Sequence, residues 1–114
     1  MELPLQITWR HIDPSAAVEE RVKERAQKLV QHFPEISHIH CVLEEPHRSH
    51  HKGNHYVVRL DIRVPGTDVV VGREDPDESR QTDLYAAITD TFDLAERRLR
   101  DRNGRKQKHS SKRG

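Results

Sequence analysis

The stretch PHRSHHKGNH, Pro46 to His55, gathers His47, His50, His51 and His55 around Arg48 and Lys52, with Gly53-Asn54 suited to a turn. Three chemistries use such residues. Histidine ligates zinc, neutral imidazole acts as a general base, and a basic loop grips phosphate. Zinc needs three or four ligands converging at roughly 2.0 to 2.3 Å. His47-x-x-His50-His51 supplies the residue type, yet the loop holds no acidic or thiolate partner. Glu44 and Glu45 only precede it, and Arg48 and Lys52 repel a dication. No Ser-His-Asp or Cys-His arrangement emerges, and no glycine-rich phosphate loop exists. The expectation is a protein without catalytic residues, resident metal or cofactor, and a histidine-based metal-binding or regulatory module is the competing reading.

A second group of basic residues lies on two helical segments. Arg21, Arg25, Lys28 and His32 recur at steps of four, three and four, while Arg98, Arg102 and Arg105 repeat the spacing beside Arg97. Such stripes loosely match the spacing of phosphates. Glu19-Lys23 and Glu24-Lys28 at i,i+4 are equally what any solvated helix shows, so pattern alone leaves both readings open.

The elements that must carry these residues follow from apolar periodicity. Leu3, Leu5, Ile7 and Trp9 alternate with polar positions, the period of a strand with one buried face. Asp13 as N-cap and Pro14 at the first helical position open a helix whose Val18, Val22, Ala26, Leu29 and Phe33 form one stripe, stopped by Pro34. Ile39, Cys41 and Leu43 alternate, as do Tyr56, Val58, Leu60, Ile62 and Val64, predicting two strands on either side of the histidine loop. Pairing Glu44 with His55 sets Leu43 opposite Tyr56, Cys41 opposite Val58 and Ile39 opposite Leu60. The open face then shows His38 opposite Asp61, His40 opposite Arg59 and Val42 opposite Val57, beside Glu44 and His55. Pro65-Gly66 is a tight turn that pairs Val64 with Thr67, so Val69 meets Ile62 and Val71 meets Leu60. A polar connection, REDPDESRQ, leads to a helix started by Thr82 or Asp83, with Leu84, Ile88, Thr91 or Phe92, Ala95 and Leu99 as its apolar stripe. The order β-α-β-β-β-α, with one apolar face per element, predicts an α+β fold: a four-stranded mixed sheet with both helices packed on one side.

Composition agrees with one thin-cored domain. Apolar residues make up 32% and charged residues 34% of 114 residues, and Cys41 is the sole cysteine, which excludes an intrachain disulfide and fits a reducing compartment. No basic and apolar leader and no membrane-spanning run is present, so the expected location is cytoplasmic. Charge is uneven. From Asp101 onward six cationic side chains oppose one carboxylate, giving +5 to the last fourteen residues of a chain whose net charge is +1, and about −4 to the rest. Residues 1–101 therefore read as the folded domain and 102–114 as a basic flexible tail suited to a polyanion.

The order of elements, the start LQITWRHIDPSAAVEERV, the PHRSHHKGN loop and DLYAAITDTFDLAERRLR (Asp83 to Arg100) together resemble the ribosome hibernation-promoting factor and ribosome-associated inhibitor family, once called sigma-54 modulation proteins. The similarity spans about residues 3 to 102 and is that of a short form. It implies a fold similar to double-stranded RNA-binding domains. It further implies a stress-response factor that occupies the decoding region of the small ribosomal subunit, contacts ribosomal RNA and inhibits translation by idle ribosomes. By position the RNA-contacting residues would be Arg21, Arg25, Lys28, Arg97, Arg98 and Arg102 on the helices. To these the loop would add His47, Arg48, His50, His51 and Lys52, its histidines tightening binding as pH falls toward about 6. No small-molecule substrate and no membrane partner is implied.

Overall fold

A computed structural model describes residues 3–45, 56–72 and 83–113, with side chains described as far as residue 102. The order is β1 (Leu5–Arg10), α1 (Ala16–His32), β2 (His38–Glu44), β3 (Val57–Val64), β4 (Thr67–Val71) and α2 (Leu84–Arg113). The sheet runs β1-β2-β3-β4, with β1 parallel to β2 and the other neighbours antiparallel. A parallel pair needs a crossover, and α1 supplies it. The α+β architecture expected from periodicity is the one observed.

Each apolar stripe meets the same core. Val18, Val22, Ala26, Leu29 and Phe33 from α1 and Ile88, Phe92, Ala95 and Leu99 from α2 bury against Ile39, Cys41, Leu43, Val58, Leu60, Ile62, Val64 and Val71. Phe92 is fully buried, so it fills the stripe position that the sequence left open between it and Thr91, whose hydroxyl instead donates to Ala87 O at 2.7 Å. The strands of β1 join less completely: Leu3, Leu5, Ile7 and Trp9 are half-buried.

Two details differ from expectation. Helix α1 is capped by Ser15, whose hydroxyl accepts from Val18 N–H at 3.3 Å, and not by Asp13. Serine satisfies a first-turn orphan donor of a helix that starts two residues later, leaving Pro14 outside the helix. The β2–β3 register is shifted by two residues, so Leu43 faces Val58, Cys41 faces Leu60 and Ile39 faces Ile62. Strand side chains repeat every second residue, and a shift of two keeps both apolar faces aligned. His40 consequently lies opposite Asp61, His38 opposite Arg63 and Val42 opposite Arg59. The β3–β4 register is the expected one, held by Pro65-Gly66 with Gly66 at φ +88°, the left-handed position that a type II turn requires. At Gly72, φ +123°, a Cβ would come within 2.5 Å of Val58 O and 2.6 Å of Arg59 Cα, so only glycine lets the chain leave β4 across β3.

Asp83 caps α2, its carboxylate accepting from Tyr85 N–H at 3.0 Å and Ala86 N–H at 3.2 Å. The helix then continues to Arg113, through the boundary expected at residue 101. Arginine, lysine and glutamine are good helix formers, and they outweigh the single Gly104.

Cys41 sits at the centre of the sheet, and burial pushes its thiol up to about 12 from an ordinary value near 9. The unfolded chain therefore loses the thiol proton first as pH rises. Stability is complete below about pH 9 and falls between about 9 and 12, by roughly 1.4 kcal/mol per pH unit for this group. Urea unfolding at pH 9.5 and 10.5 should show a stability loss in the wild type that exceeds the loss in Cys41→Ala by about that amount.

Candidate nucleic-acid interface

The α1 stripe lies on the flank that faces α2, and its members differ sharply in how they are held. Arg25 donates to Asp93 Oδ1 at 2.6 Å and lies 5.9 Å from the Phe92 ring centroid, with its side chain 24% exposed. Arg21 stacks over Tyr85 at 5.2 Å and lies 3.7 Å from Glu24. The contacts to Asp93, Phe92 and Tyr85 clamp the two helices together, each worth roughly 0.5 to 1 kcal/mol at partly exposed sites. Lys28 is exposed and forms no ion pair among the described residues, while its carbonyl lies 3.1 Å from His32 Nδ1.

On α2, Arg97 and Arg98 are both exposed, again without an ion pair among the described residues. Successive helical residues point about 100° apart. Measured from the buried stripe of Ile88, Phe92, Ala95 and Leu99, Arg97 projects outward to solvent and Arg98 toward the flank away from α1. Arg102 behaves differently. It donates to Pro65 O at 2.7 Å and lies 3.9 Å from the Glu35 carboxylate, with only 18% of its side chain exposed. It ties α2 to the β3–β4 turn and to the α1–β2 connection. Arg102→Ala should cost roughly 1 kcal/mol of stability, because a charge-assisted bond between elements is lost while water can take its place on the exposed Pro65 carbonyl. Thermal unfolding of the variant against wild type checks this.

The structure thus brings Arg21, Arg25 and Lys28 to one inter-helical flank and sets Arg97, Arg98 and Arg102 apart from it. His47, Arg48, His50, His51 and Lys52 lie outside the described residues. Among the described residues no three histidine, cysteine or acidic side chains converge as a metal site. The open sheet face carries Arg10, His38, His40, Arg59 and Arg63 against Glu44, Asp61 and Asp68, and His40 Nε2 shares a 2.8 Å hydrogen bond with Thr8 Oγ1. Sequence reasoning missed Tyr85 and Asp93 as the partners that hold the α1 arginines. The available signal was Tyr85 itself, an aromatic on an otherwise polar position of α2 in a chain with only 4% aromatic residues.

A cationic helical flank beside a four-stranded sheet is shared by many nucleic-acid binders, so the geometry alone names a chemistry and not a family. The profile of the family described as "Sigma 54 modulation protein / S30EA ribosomal protein" matches residues 5–107. This chain belongs to that family. Among S30EA-type relatives, a ribosome hibernation promoting factor from Acinetobacter guillouiae is 25% identical over 101 residues, covering 83% of this chain and 84% of that protein. A ribosomal subunit interface protein from Coxiella burnetii superposes with a TM-score of 0.71 at 19% identity, over 88% of this chain and 97% of that one. The N-terminal domain of Protein Y from Thermus thermophilus gives 0.62 at 23% identity, over 87% and 96%. These S30EA-like structures share the β-α-β-β-β-α fold found here. Among the described residues no helix is long and apolar enough to cross a membrane.

Proposed function

We propose that this protein is a cytoplasmic ribosome-associated hibernation factor that occupies the decoding region of the small subunit and silences idle ribosomes by contacting ribosomal RNA. The match of the S30EA family over residues 5–107 carries the reading, and the exposed cations of the helices give it a physical basis. Phosphates outnumber any other ligand in that region, and folded RNA is recognised by backbone and shape more than by base sequence. Lys28, Arg97 and Arg98 are the direct phosphate contacts. Arg21 and Arg25 contribute field and position from their clamps, and Arg102 holds α2 at the angle that presents the others. The loop residues His47, Arg48, His50, His51 and Lys52 would add cationic contacts to phosphate, and the basic residues from 101 to 114 add long-range attraction that the rest of the chain, near −4, lacks.

Chemical footprinting of small subunits tests this. Protection should cluster at decoding-region nucleotides and disappear when messenger and transfer RNA are bound first. Protection that is scattered or indifferent to those ligands would reject a decoding-region site.

A further inference from the structure

The flank of α1 opposite the basic stripe frames a groove of about 600 Å³ between the helix and the outer strand β1. Its floor is Leu3, Leu5, Ile7 and Trp9, all half-buried, and its wall is Glu19, Glu20, Lys23, Glu24 and Gln27. Three carboxylates meet one ammonium there. Lys23 is already 3.3 Å from Glu19, Glu24 lies 3.7 Å from Arg21, and Glu20 is exposed without an ion pair among the described residues. The groove is apolar below and acidic above.

The backbone of β1 adds a second recognition element along the same residues. Ile39 N–H donates to Pro4 O at 2.8 Å and Glu45 N–H to Arg10 O at 3.1 Å, so the even-numbered residues turn their backbone groups toward β2. Alternate residues of a strand point the opposite way, and Ile7 and Trp9 therefore direct N–H and C=O to the free edge of the sheet. Their side chains line the groove. An incoming strand that bonds to this edge would place every second side chain over Ile7 and Trp9, beside the α1 carboxylates.

We infer that this edge and groove form a docking site for an extended, basic protein segment that adds a fifth strand to β1, with apolar side chains on the floor and lysines or arginines against Glu19, Glu20 and Glu24. Main-chain bonds supply affinity in such augmentation and side-chain pockets supply specificity. Charge selects this occupant over a second copy of the chain, because two β1 edges paired together would bring two acidic α1 flanks side by side. The site lies on the flank of α1 away from Arg25 and Lys28. A molecule held on RNA through its basic flank keeps the groove available to a basic protein neighbour.

Trp9 is the only tryptophan and reports on the groove directly. The full chain is titrated with acetyl-Val-Thr-Lys-Thr-Val-Thr-Lys-Thr-Val-amide, whose valines and lysines share the face that meets the groove, following Trp9 fluorescence and hydrogen exchange of the Ile7 and Trp9 amides. Saturable binding with slowed exchange at both amides is expected, about tenfold weaker for Glu20→Lys/Glu24→Lys, whose exposed positions leave the core untouched. The same peptide with proline at its central valine cannot complete the ladder and should bind at least about tenfold more weakly. An equal response to the proline peptide, or to one with glutamate for lysine, would overturn strand addition by a basic segment. Protection of Ile7 and Trp9 that rises with protein concentration alone would overturn it in favour of self-pairing.

Discussion

Alanine at Lys28, Arg97 and Arg98 together is expected to lower affinity for small ribosomal subunits by roughly a hundredfold at low salt while leaving the fold intact. All three side chains are exposed, so their removal opens no cavity. Each contact to phosphate releases about one counterion, and each lost contact should reduce the log-log salt slope by about one, close to three in total. Arg21 and Arg25 are poorer choices for this test, because a change at Arg25 also breaks its 2.6 Å pair with Asp93 and confounds binding with helix packing. A binding titration at several salt concentrations reads both quantities. Unchanged affinity with an unchanged slope would remove the α1 and α2 cations from the interface.

Phe92→Ala is expected to cost about 3 to 5 kcal/mol, the largest stability effect of any single change considered. Phe92 is the largest fully buried side chain among the described residues, and its ring also lies 5.9 Å from the Arg25 guanidinium. Truncation leaves a cavity at the junction of α1, α2 and the sheet and removes the face on which Arg25 rests. Many domains of this size hold only about 5 to 15 kcal/mol in all, so the variant should unfold at markedly lower urea concentration. A midpoint close to that of wild type would mean that the two helices do not depend on this contact.

The faces of the strands were legible from alternation, since a period of two fixes which side chains meet the core. Alternation cannot distinguish registers two residues apart, and the histidine loop between β2 and β3 is too long to decide; hence His40 faces Asp61 and not Arg59. Pro65-Gly66 is a two-residue turn, and there the register followed from sequence. The basic stripes were legible as stripes but not as roles. Whether an arginine meets phosphate or carboxylate depends on partners far along the chain: Arg25 on Asp93, Arg21 on Tyr85, Arg102 on Pro65 and Glu35. No local spacing records those meetings. The acidic groove beside β1 was hidden for a related reason, since Glu19 and Glu24 read as ordinary helix-surface pairs until β1 was seen to leave its apolar face half-covered.

The central claim is that this chain binds the small subunit through phosphate contacts. Sedimentation of the purified protein with isolated small subunits across a salt series tests it most directly. Co-sedimentation near one molecule per subunit at low salt is predicted, with affinity falling more than about tenfold between low and moderate salt. A protein that stays in the supernatant at low salt, or one whose binding ignores salt, would contradict the account.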